Sequence, residues 1–253
     1  MARTETTAAV LLRSVAYGDA DRIVTLLTEA RGKVALMARG ARKSKKRFAG
    51  ALEPYALIEA EIALGRGDVG RLAQARVVRA FPGLLTSLEK IGVAAACLEV
   101  VRETVADHDE PDARLVPSVV RLLEVLEGLE PDQIAPLHLG FVLRWLALTG
   151  HSPNFTHCGR CSRAAPEGKA ALFDPQLGAI VCRACGGGPT KVGGALREAM
   201  LQASTRRWDT PDARLTPDGA AAIDAFLAHH LPRRLAGADL VSQVRAVSRG
   251  TER

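Results

Sequence analysis

The chain has 253 residues, 47% of them hydrophobic and 25% charged, with a formal charge of +6 at neutral pH and a pI near 9.3. This length allows one large domain or two to three small ones, each with its own core. No run approaches the roughly 18 uncharged apolar residues of a membrane span, and the N-terminus lacks the apolar core of an export signal. We therefore expect a cytoplasmic protein with no membrane segment, and the basic balance favours a polyanionic partner.

The first 81 residues predict a small antiparallel β-barrel or a curled sheet. Five β-branched or alternating runs, separated by glycine-containing or lysine-rich turns, cover residues 7–13, 22–28, 33–39, 55–64 and 71–81. Five strands at this spacing are typical of an OB-fold, a partly open barrel that binds oligonucleotides. The fourth and fifth runs contain Ala and Glu, so a helical conformation remains an alternative for those two runs.

From Pro82 onward the apolar residues recur every three and four positions, which predicts helices. The helical stripes cover residues 84–105, 116–126, 134–148, 195–206 and 218–229. The sequence thus predicts an α+β multidomain protein, in which residues 1–81 form an OB-fold-like nucleic-acid-binding domain. Residues 82–253 form a mainly helical domain with a zinc ribbon inserted at about 155–188.

Four cysteines form two Cys-x-x-Cys pairs, Cys158 with Cys161 and Cys182 with Cys185. Each pair lets two sulfurs converge on one ion, and a spacer of about 15 to 20 residues allows a hairpin to bring up the second pair. We predict one zinc ion. The alternatives are a disulfide framework, which a reducing cytoplasm disfavours, and a redox pair, which would not need a second copy. Four thiolates leave no position for water, so the predicted zinc is structural.

The stretch between Glu29 and Glu53 contains no acidic residue and is rich in lysine and arginine. Its position beside a predicted OB-type sheet favours phosphate contact, and Phe48 offers a face for base stacking. A solvated charge run that only keeps the protein soluble is the alternative. The predicted DNA-binding residues are Lys33, Arg39, Arg42, Lys43, Lys45, Lys46 and Arg47.

Two other motifs are set aside on their context. The glycines of residues 65–70 match G-x-G-x-x-G, but no helix and second parallel strand follow, so we expect a hairpin turn. His108-Asp109-Glu110 resembles half of a zinc deaminase signature, but Val181 precedes Cys182 where that signature has proline. No catalytic arrangement emerges, and the chain is predicted to be a binding protein and not an enzyme.

In this order, these segments resemble the bacterial RecO family of recombination mediators. The similarity rests on Gly-Asp-x-Asp-Arg at residues 18–22, Thr-Glu-x-x-Gly-Lys at 28–33, the basic loop closing on Pro54-Tyr55, and the passage from LRWLALTG into CGRC and FDPQLGAIVCRAC. The third cysteine follows Gly178-Ala179 where the family often has a glycine pair. Some members lack the cysteines, so the metal is not the family's shared chemistry.

The resemblance implies a non-enzymatic protein with an N-terminal OB-fold, a helical domain and a zinc ribbon. It further implies binding of single- and double-stranded DNA, annealing of complementary strands, and work with RecR and single-stranded DNA-binding protein to load RecA, in the cytoplasm at the nucleoid. A protein-interaction scaffold with incidental nucleic-acid binding is the alternative function.

Overall fold

The computed structural model describes residues 4–44, 46–65, 69–107, 110–205, 208–231, 233 and 235. The chain divides into two compact units. One contains Met1–Ser87 and Val105–Glu127, and the other contains Leu88–Thr104 and Gly128–Arg253. Residues 105–127 therefore group with the N-terminal strands, whereas the sequence placed them with the other helices.

In the first unit, five strands close into a barrel in the order β1-β2-β3-β5-β4. All neighbours are antiparallel except β3 and β5, which are parallel. The fourth and fifth runs are strands and not helices, because each pairs along its length with the other. The strands are Thr4–Tyr17 (β1), Asp21–Thr28 (β2), Gly32–Ala38 (β3), Ala56–Ala63 (β4) and Val69–Ala80 (β5).

Alternate residues of each strand fill the barrel. Residues of β4 alternate between buried and half-buried along the whole strand, as a strand with one face on a core requires. The core also includes Phe48 and Leu52 from the segment between β3 and β4. This segment is therefore not a free loop, since its second half closes over the barrel core.

The helices follow the predicted stripes closely, and are Leu88–Thr104 (α1), Leu115–Glu127 (α2), Pro131–Leu148 (α3), Gly194–Thr205 (α4) and Pro217–His230 (α5). α1 begins later than its apolar stripe because Pro82–Thr86 form a separate 3-10 turn, after which Ser87 is extended. Among the described residues, none of these helices is long and apolar enough to cross a bilayer.

α2 packs against β1 and β2 in the first unit. Its apolar face is buried there, and its polar face forms an ion pair and a hydrogen bond with residues at and just after the end of β5. Arg79 forms an ion pair with Glu124, and the Glu127 carboxylate accepts a 2.8 Å hydrogen bond from the Gly83 N–H. These contacts explain why α2 groups with the strands.

In the second unit, α1, α4 and α5 each pack against α3. Phe141 and Trp145 of α3 form an aromatic cluster with Trp208, with ring centroids 5.4 to 5.7 Å apart in the two contacts. The last two helices, α4 and α5, thus pack back on α3.

A small four-stranded sheet lies between α3 and α4 in the chain, with strand order β6-β8-β7-β9. Its strands are Asn154–Cys158 (β6), Ala171–Asp174 (β7), Ala179–Ile180 (β8) and Thr190–Val192 (β9). Phe155 and Phe173 pack against each other at its apolar centre, with ring centroids 4.8 Å apart and ring planes tilted by 32°. This sheet carries the four paired cysteines, and the mixed α+β class is confirmed.

Candidate metal centre and nucleic-acid interface

The four cysteines of the two Cys-x-x-Cys pairs converge on one point. Cys158 ends β6 and Cys161 lies in the turn after it, while Cys182 follows β8 and Cys185 ends a short 3-10 turn. Their four sulfur atoms all lie within 4.8 Å of one another. The two pairs meet because β6 and β8 are adjacent strands of the same sheet.

Both turns have the tight backbone that brings sulfurs together. In the first, the Ser162 N–H donates to the Cys158 carbonyl at 2.9 Å, and Ser162 has a left-handed φ of 57°. In the second, the Cys185 N–H donates to the Cys182 carbonyl at 2.9 Å, and Gly186 follows with a φ of 101°. Glycine is suited to this φ because it has no Cβ to clash.

The electrostatics of the cluster favour thiolate at one of its members. Backbone N–H groups of Cys182, Arg160 and Cys161 hydrogen bond to the Cys158 sulfur and lower the pKa of Cys158 to about 6. Side-chain hydrogen bonding with Cys182 and Cys161 raises the pKa of Cys185 to about 12. Crowded thiols resist simultaneous deprotonation, and a cation among them removes that resistance.

All five cysteines are free thiols, which contradicts the disulfide alternative. The Cys161 and Cys182 sulfurs are 3.8 Å apart, whereas a disulfide bond is about 2.05 Å long. His157 is exposed, and its Nδ1 lies 2.9 Å from the Thr156 hydroxyl, so it is not one of the clustered groups. Cys97 is fully buried on α1, and burial raises the pKa of its thiol, as expected of an inert core residue. Among the described residues, the four clustered cysteines are the metal-binding candidates.

The predicted basic residues fall into groups with different surroundings. Arg39, Arg42, Lys43, Lys46 and Arg47 are exposed in the segment that leaves β3. We call residues 39–47 the basic loop. Lys45 lies outside the described residues, as do the central positions 66–68 of the glycine motif and positions 108–109 of the His-Asp-Glu motif.

Two arginines fix the basic loop, Arg42 on the barrel and Arg47 within the loop itself. The Arg42 backbone N–H donates to the Ala20 carbonyl at 2.9 Å, and its guanidinium reaches the Gly18 and Asp19 carbonyls at 3.4 Å. The Arg47 guanidinium donates to the Arg39 carbonyl at 2.7 Å. The loop is thus fixed beside the turn between β1 and β2.

The remaining loop cations make no such contacts. The side chains of Arg39, Lys43 and Lys46 hold no hydrogen bond or ion pair with any residue that the structure describes. Their charges are therefore available to an external anion.

Lys33 stands apart from the other predicted residues. It lies within β3, its side chain is 12% exposed, and its Nζ is 3.3 Å from the Asp107 carboxylate. That carboxylate neutralises the ammonium in place. The sequence could not show this pairing, because the two residues are far apart in the chain.

Phe48 is buried, and the expectation that its ring offers a stacking face is wrong. The ring belongs to the barrel core, with the Arg47 guanidinium 5.0 Å from its centroid. The exposed aromatic residue near the basic loop is Tyr17, at the end of β1. Tyr17 is not among the residues predicted from the sequence, although its position just before the Gly18 turn indicates a strand end at the surface.

A second set of cations lies near the cysteines. Arg163, Arg183 and Lys191 line a cavity of about 290 Å³ whose other walls are mainly apolar. Arg160 lies elsewhere in the ribbon and donates to the Cys185 carbonyl at 2.9 Å, which stabilises the second cysteine turn.

Two family models match most of the chain. Residues 1–81 match the family described as Recombination protein O N terminal, and residues 85–243 match Recombination protein O C terminal. The DNA repair protein RecO of Myxococcus xanthus (strain DK1622) is 38% identical over 245 residues, which are 93% of this chain and 96% of that relative.

Two other relatives share this name. DNA repair protein RecO of Anaeromyxobacter sp. (strain Fw109-5) is 39% identical over 254 residues, with coverage of 93% of this chain and 94% of the relative. DNA repair protein RecO of Nocardioides sp. (strain ATCC BAA-499 / JS614) is 32% identical over 234 residues, with coverage of 90% of this chain and 94% of the relative. Since both family models and these relatives span nearly the full length, the chain belongs to the RecO family of DNA repair proteins.

Proposed function

We propose that this protein is a non-enzymatic recombination mediator. It binds single- and double-stranded DNA through the basic loop, anneals complementary strands and, with RecR, assists RecA loading on strands coated by single-stranded DNA-binding protein at the bacterial nucleoid. The observation that carries the DNA-binding proposal is the group of exposed cations Arg39, Arg42, Lys43 and Lys46 on one anchored loop. The roles of RecR, RecA and the single-stranded DNA-binding protein rest on family membership.

The barrel supports this proposal as a scaffold. A closed five-stranded barrel with parallel β3 and β5 is compatible with an OB-fold, in which the face of strands 2 and 3 and the loop between strands 1 and 2 bind oligonucleotides. The basic loop follows β3 and is anchored to the β1–β2 turn. Its cations therefore lie beside the elements that such folds use for nucleic acid.

Phosphate neutralisation also provides a physical route to annealing. Two complementary strands repel each other through their phosphates, and cations that displace counterions lower that repulsion. Contacts to phosphates carry no sequence information, which suits a protein that must anneal any pair of strands. Lys33 is left out of the proposed contact set because Asp107 already neutralises it. Arg47 serves to hold the loop, and Lys45 remains a predicted contact.

We also propose that Cys158, Cys161, Cys182 and Cys185 hold one structural zinc ion. With Zn–S bonds of about 2.3 Å, the edges of a tetrahedral four-sulfur site are about 3.8 Å long. The Cys161 and Cys182 sulfurs are already 3.8 Å apart, and no pair exceeds 4.8 Å. Four protein sulfurs would complete the coordination of zinc, so its contribution is to the stability of the ribbon.

The DNA-binding proposal is tested by measuring affinity for single-stranded DNA over a series of salt concentrations. About four to five phosphate contacts predict a slope of log affinity against log salt near −3. A triple variant, R39A/K43A/K46A, removes three exposed charges that hold no described side-chain contact. Its slope is expected to be shallower by about 2.

The matched control is R31A/R114A/R121A, which removes three exposed charges from the same compact unit. Each of these arginines has an acidic partner, respectively Glu5, Asp112 and Glu124. The control should keep the wild-type slope. Equal slopes in the wild type and the loop variant would remove the basic loop from the interface.

A further inference from the structure

Tyr17 is the exposed aromatic residue of this chain. The chain has six phenylalanines, two tyrosines and two tryptophans, and all of them lie among the described residues. Tyr17 is 56% exposed, while the other nine are at most 9% exposed. A single exposed ring is ordinary in a protein surface, so its location decides whether it has a role.

Tyr17 lies where the basic loop meets the barrel. It is the last residue of β1, and Gly18 and Asp19 begin the turn to β2. The Arg42 guanidinium contacts the carbonyls of those two turn residues at 3.4 Å. Tyr17 therefore directly precedes the turn on which Arg42 of the basic loop rests.

The same face of β1 continues with residues suited to a nucleobase. Side chains two apart point to the same side of a strand, so Arg13, Val15 and Tyr17 share one face. All three are exposed, and across the strand pair they face Thr25, Ile23 and Asp21 of β2. This row offers a cation, an apolar side chain and a ring outside the barrel.

The two carboxylates nearby do not exclude such a ligand. The Asp21 carboxylate accepts a 2.7 Å hydrogen bond from the Gly40 N–H, which ties the basic loop to β2. Asp19 is exposed in the turn and disfavours a phosphate immediately beside it. The row thus suits an uncharged base, with the phosphates placed along Arg39, Lys43 and Lys46.

We propose that Tyr17 is a base-stacking platform that makes the surface selective for unpaired nucleotides. This inference rests on the proposed DNA-binding function and deepens it. Phosphate contacts alone do not depend on the bases, whereas a ring can stack only on a base that is free of its neighbours. Tyr17 therefore contributes to binding of single strands and not of intact duplex.

The test compares a 15-nucleotide thymidine strand, an abasic strand of equal length and a duplex, each bound by wild type, Y17A and Y17F. Y17A should lose about 5- to 150-fold in affinity for the thymidine strand, the range for loss of one stacked base. Its affinity for the abasic strand and for the duplex should equal that of the wild type. Y17F keeps the ring and should bind as the wild type does.

V78A is the matched control, because Val78 is an exposed apolar residue of β5, 52% accessible, and its truncation should change no affinity. Photocrosslinking of a 5-iodouracil strand, mapped by mass spectrometry, gives an independent result. A crosslink at Tyr17 is expected. Crosslinks confined to other residues would overturn the inference.

The outcomes separate this inference from the DNA-binding proposal. Unchanged binding by Y17A, together with a loss in R39A/K43A/K46A, overturns only the role of Tyr17. Equal losses of Y17A on thymidine and abasic strands also overturn it, because the lost contact would not involve a base. If Y17A affects only the capture of a partner protein, Tyr17 is a protein contact and the inference fails. An unaffected loop variant would instead defeat the proposed phosphate interface, while a base-dependent loss in Y17A would leave the stacking role standing.

Discussion

Arg197 of α4 donates a 2.9 Å hydrogen bond from Nη1 to the carbonyl oxygen of Phe155 in β6. The same guanidinium donates from Nε to the Lys169 carbonyl at 3.0 Å and from Nη2 to the Pro166 carbonyl. The residue is only 3% exposed. A charged group is buried at this depth only when its donors are satisfied, and here three backbone carbonyls satisfy them. Arg197 thus fastens the cysteine-bearing sheet to α4.

The first prediction concerns this contact. R197M removes the donors of three carbonyls, and we expect a loss of about 2–4 kcal/mol in the free energy of unfolding. R197K should be intermediate, since an ammonium cannot match the planar fork of the guanidinium. Denaturant unfolding with zinc in excess measures both. R214M is the control, because Arg214 is a more exposed arginine whose ion pairs are screened by solvent, and it should unfold close to the wild type. Wild-type stability in R197M would contradict the role of Arg197 in fastening the cysteine-bearing sheet to α4.

The second prediction concerns the contact between α1 and α3. The Trp145 indole N–H donates to the Thr104 hydroxyl at 2.7 Å, and both side chains are buried. T104V keeps the shape but leaves the indole N–H without its acceptor, so the free energy of unfolding should fall by about 1–3 kcal/mol. T104S retains the hydroxyl and should lose clearly less. Wild-type stability in T104V, together with a loss in T104S, would show that the methyl group, and not the hydrogen bond, matters.

The third prediction concerns the metal. Elemental analysis of freshly purified protein should give about one zinc per chain. C161S/C185S should lose the zinc, while C97A should retain it because Cys97 is buried on α1 away from the cluster. Structural zinc contributes an apparent 10–16 kcal/mol, roughly, in small zinc peptides, so its removal should disorder the sheet. A purified wild type without zinc would refute the assignment.

Chelation provides a spatial readout of the same prediction. In hydrogen exchange, residues 154–192 should lose protection when zinc is removed, because this segment has only a small apolar centre around Phe155 and Phe173. The barrel strands have a core of their own and should keep their protection. Uniform loss of protection across the chain would show instead that zinc supports the whole fold.

The fourth prediction concerns annealing. Wild-type protein should anneal complementary strands both bare and coated with single-stranded DNA-binding protein. R39A/K43A/K46A should anneal both more slowly, because fewer phosphates are neutralised, while R31A/R114A/R121A should match the wild type. Fluorescence transfer between labelled strands measures the rate. Normal annealing by the loop variant would assign that activity to another surface, in agreement with the scaffold alternative.

The elements and the cysteine cluster could be predicted because their signals are local. The periodicity of two in the first 81 residues and of three to four after Pro82 reflects which side of each element is buried, and neighbouring residues carry that pattern. The turns around Cys158 and Cys182 depend on a few consecutive residues. The spacing between the pairs allows them to meet, and the adjacent strands β6 and β8 bring them together.

Which of the predicted basic and aromatic residues face solvent depended on contacts between distant parts of the chain. Asp107 neutralises Lys33 from outside the N-terminal strands, and the barrel core takes up Phe48. Tyr17 remains exposed at the end of β1, beside an arginine from the basic loop. Composition and spacing identified a basic segment and four thiols in this chain. Only the packed structure decided which of these side chains are exposed and unpaired, because burial and ion pairing depend on residues that are not neighbours in sequence.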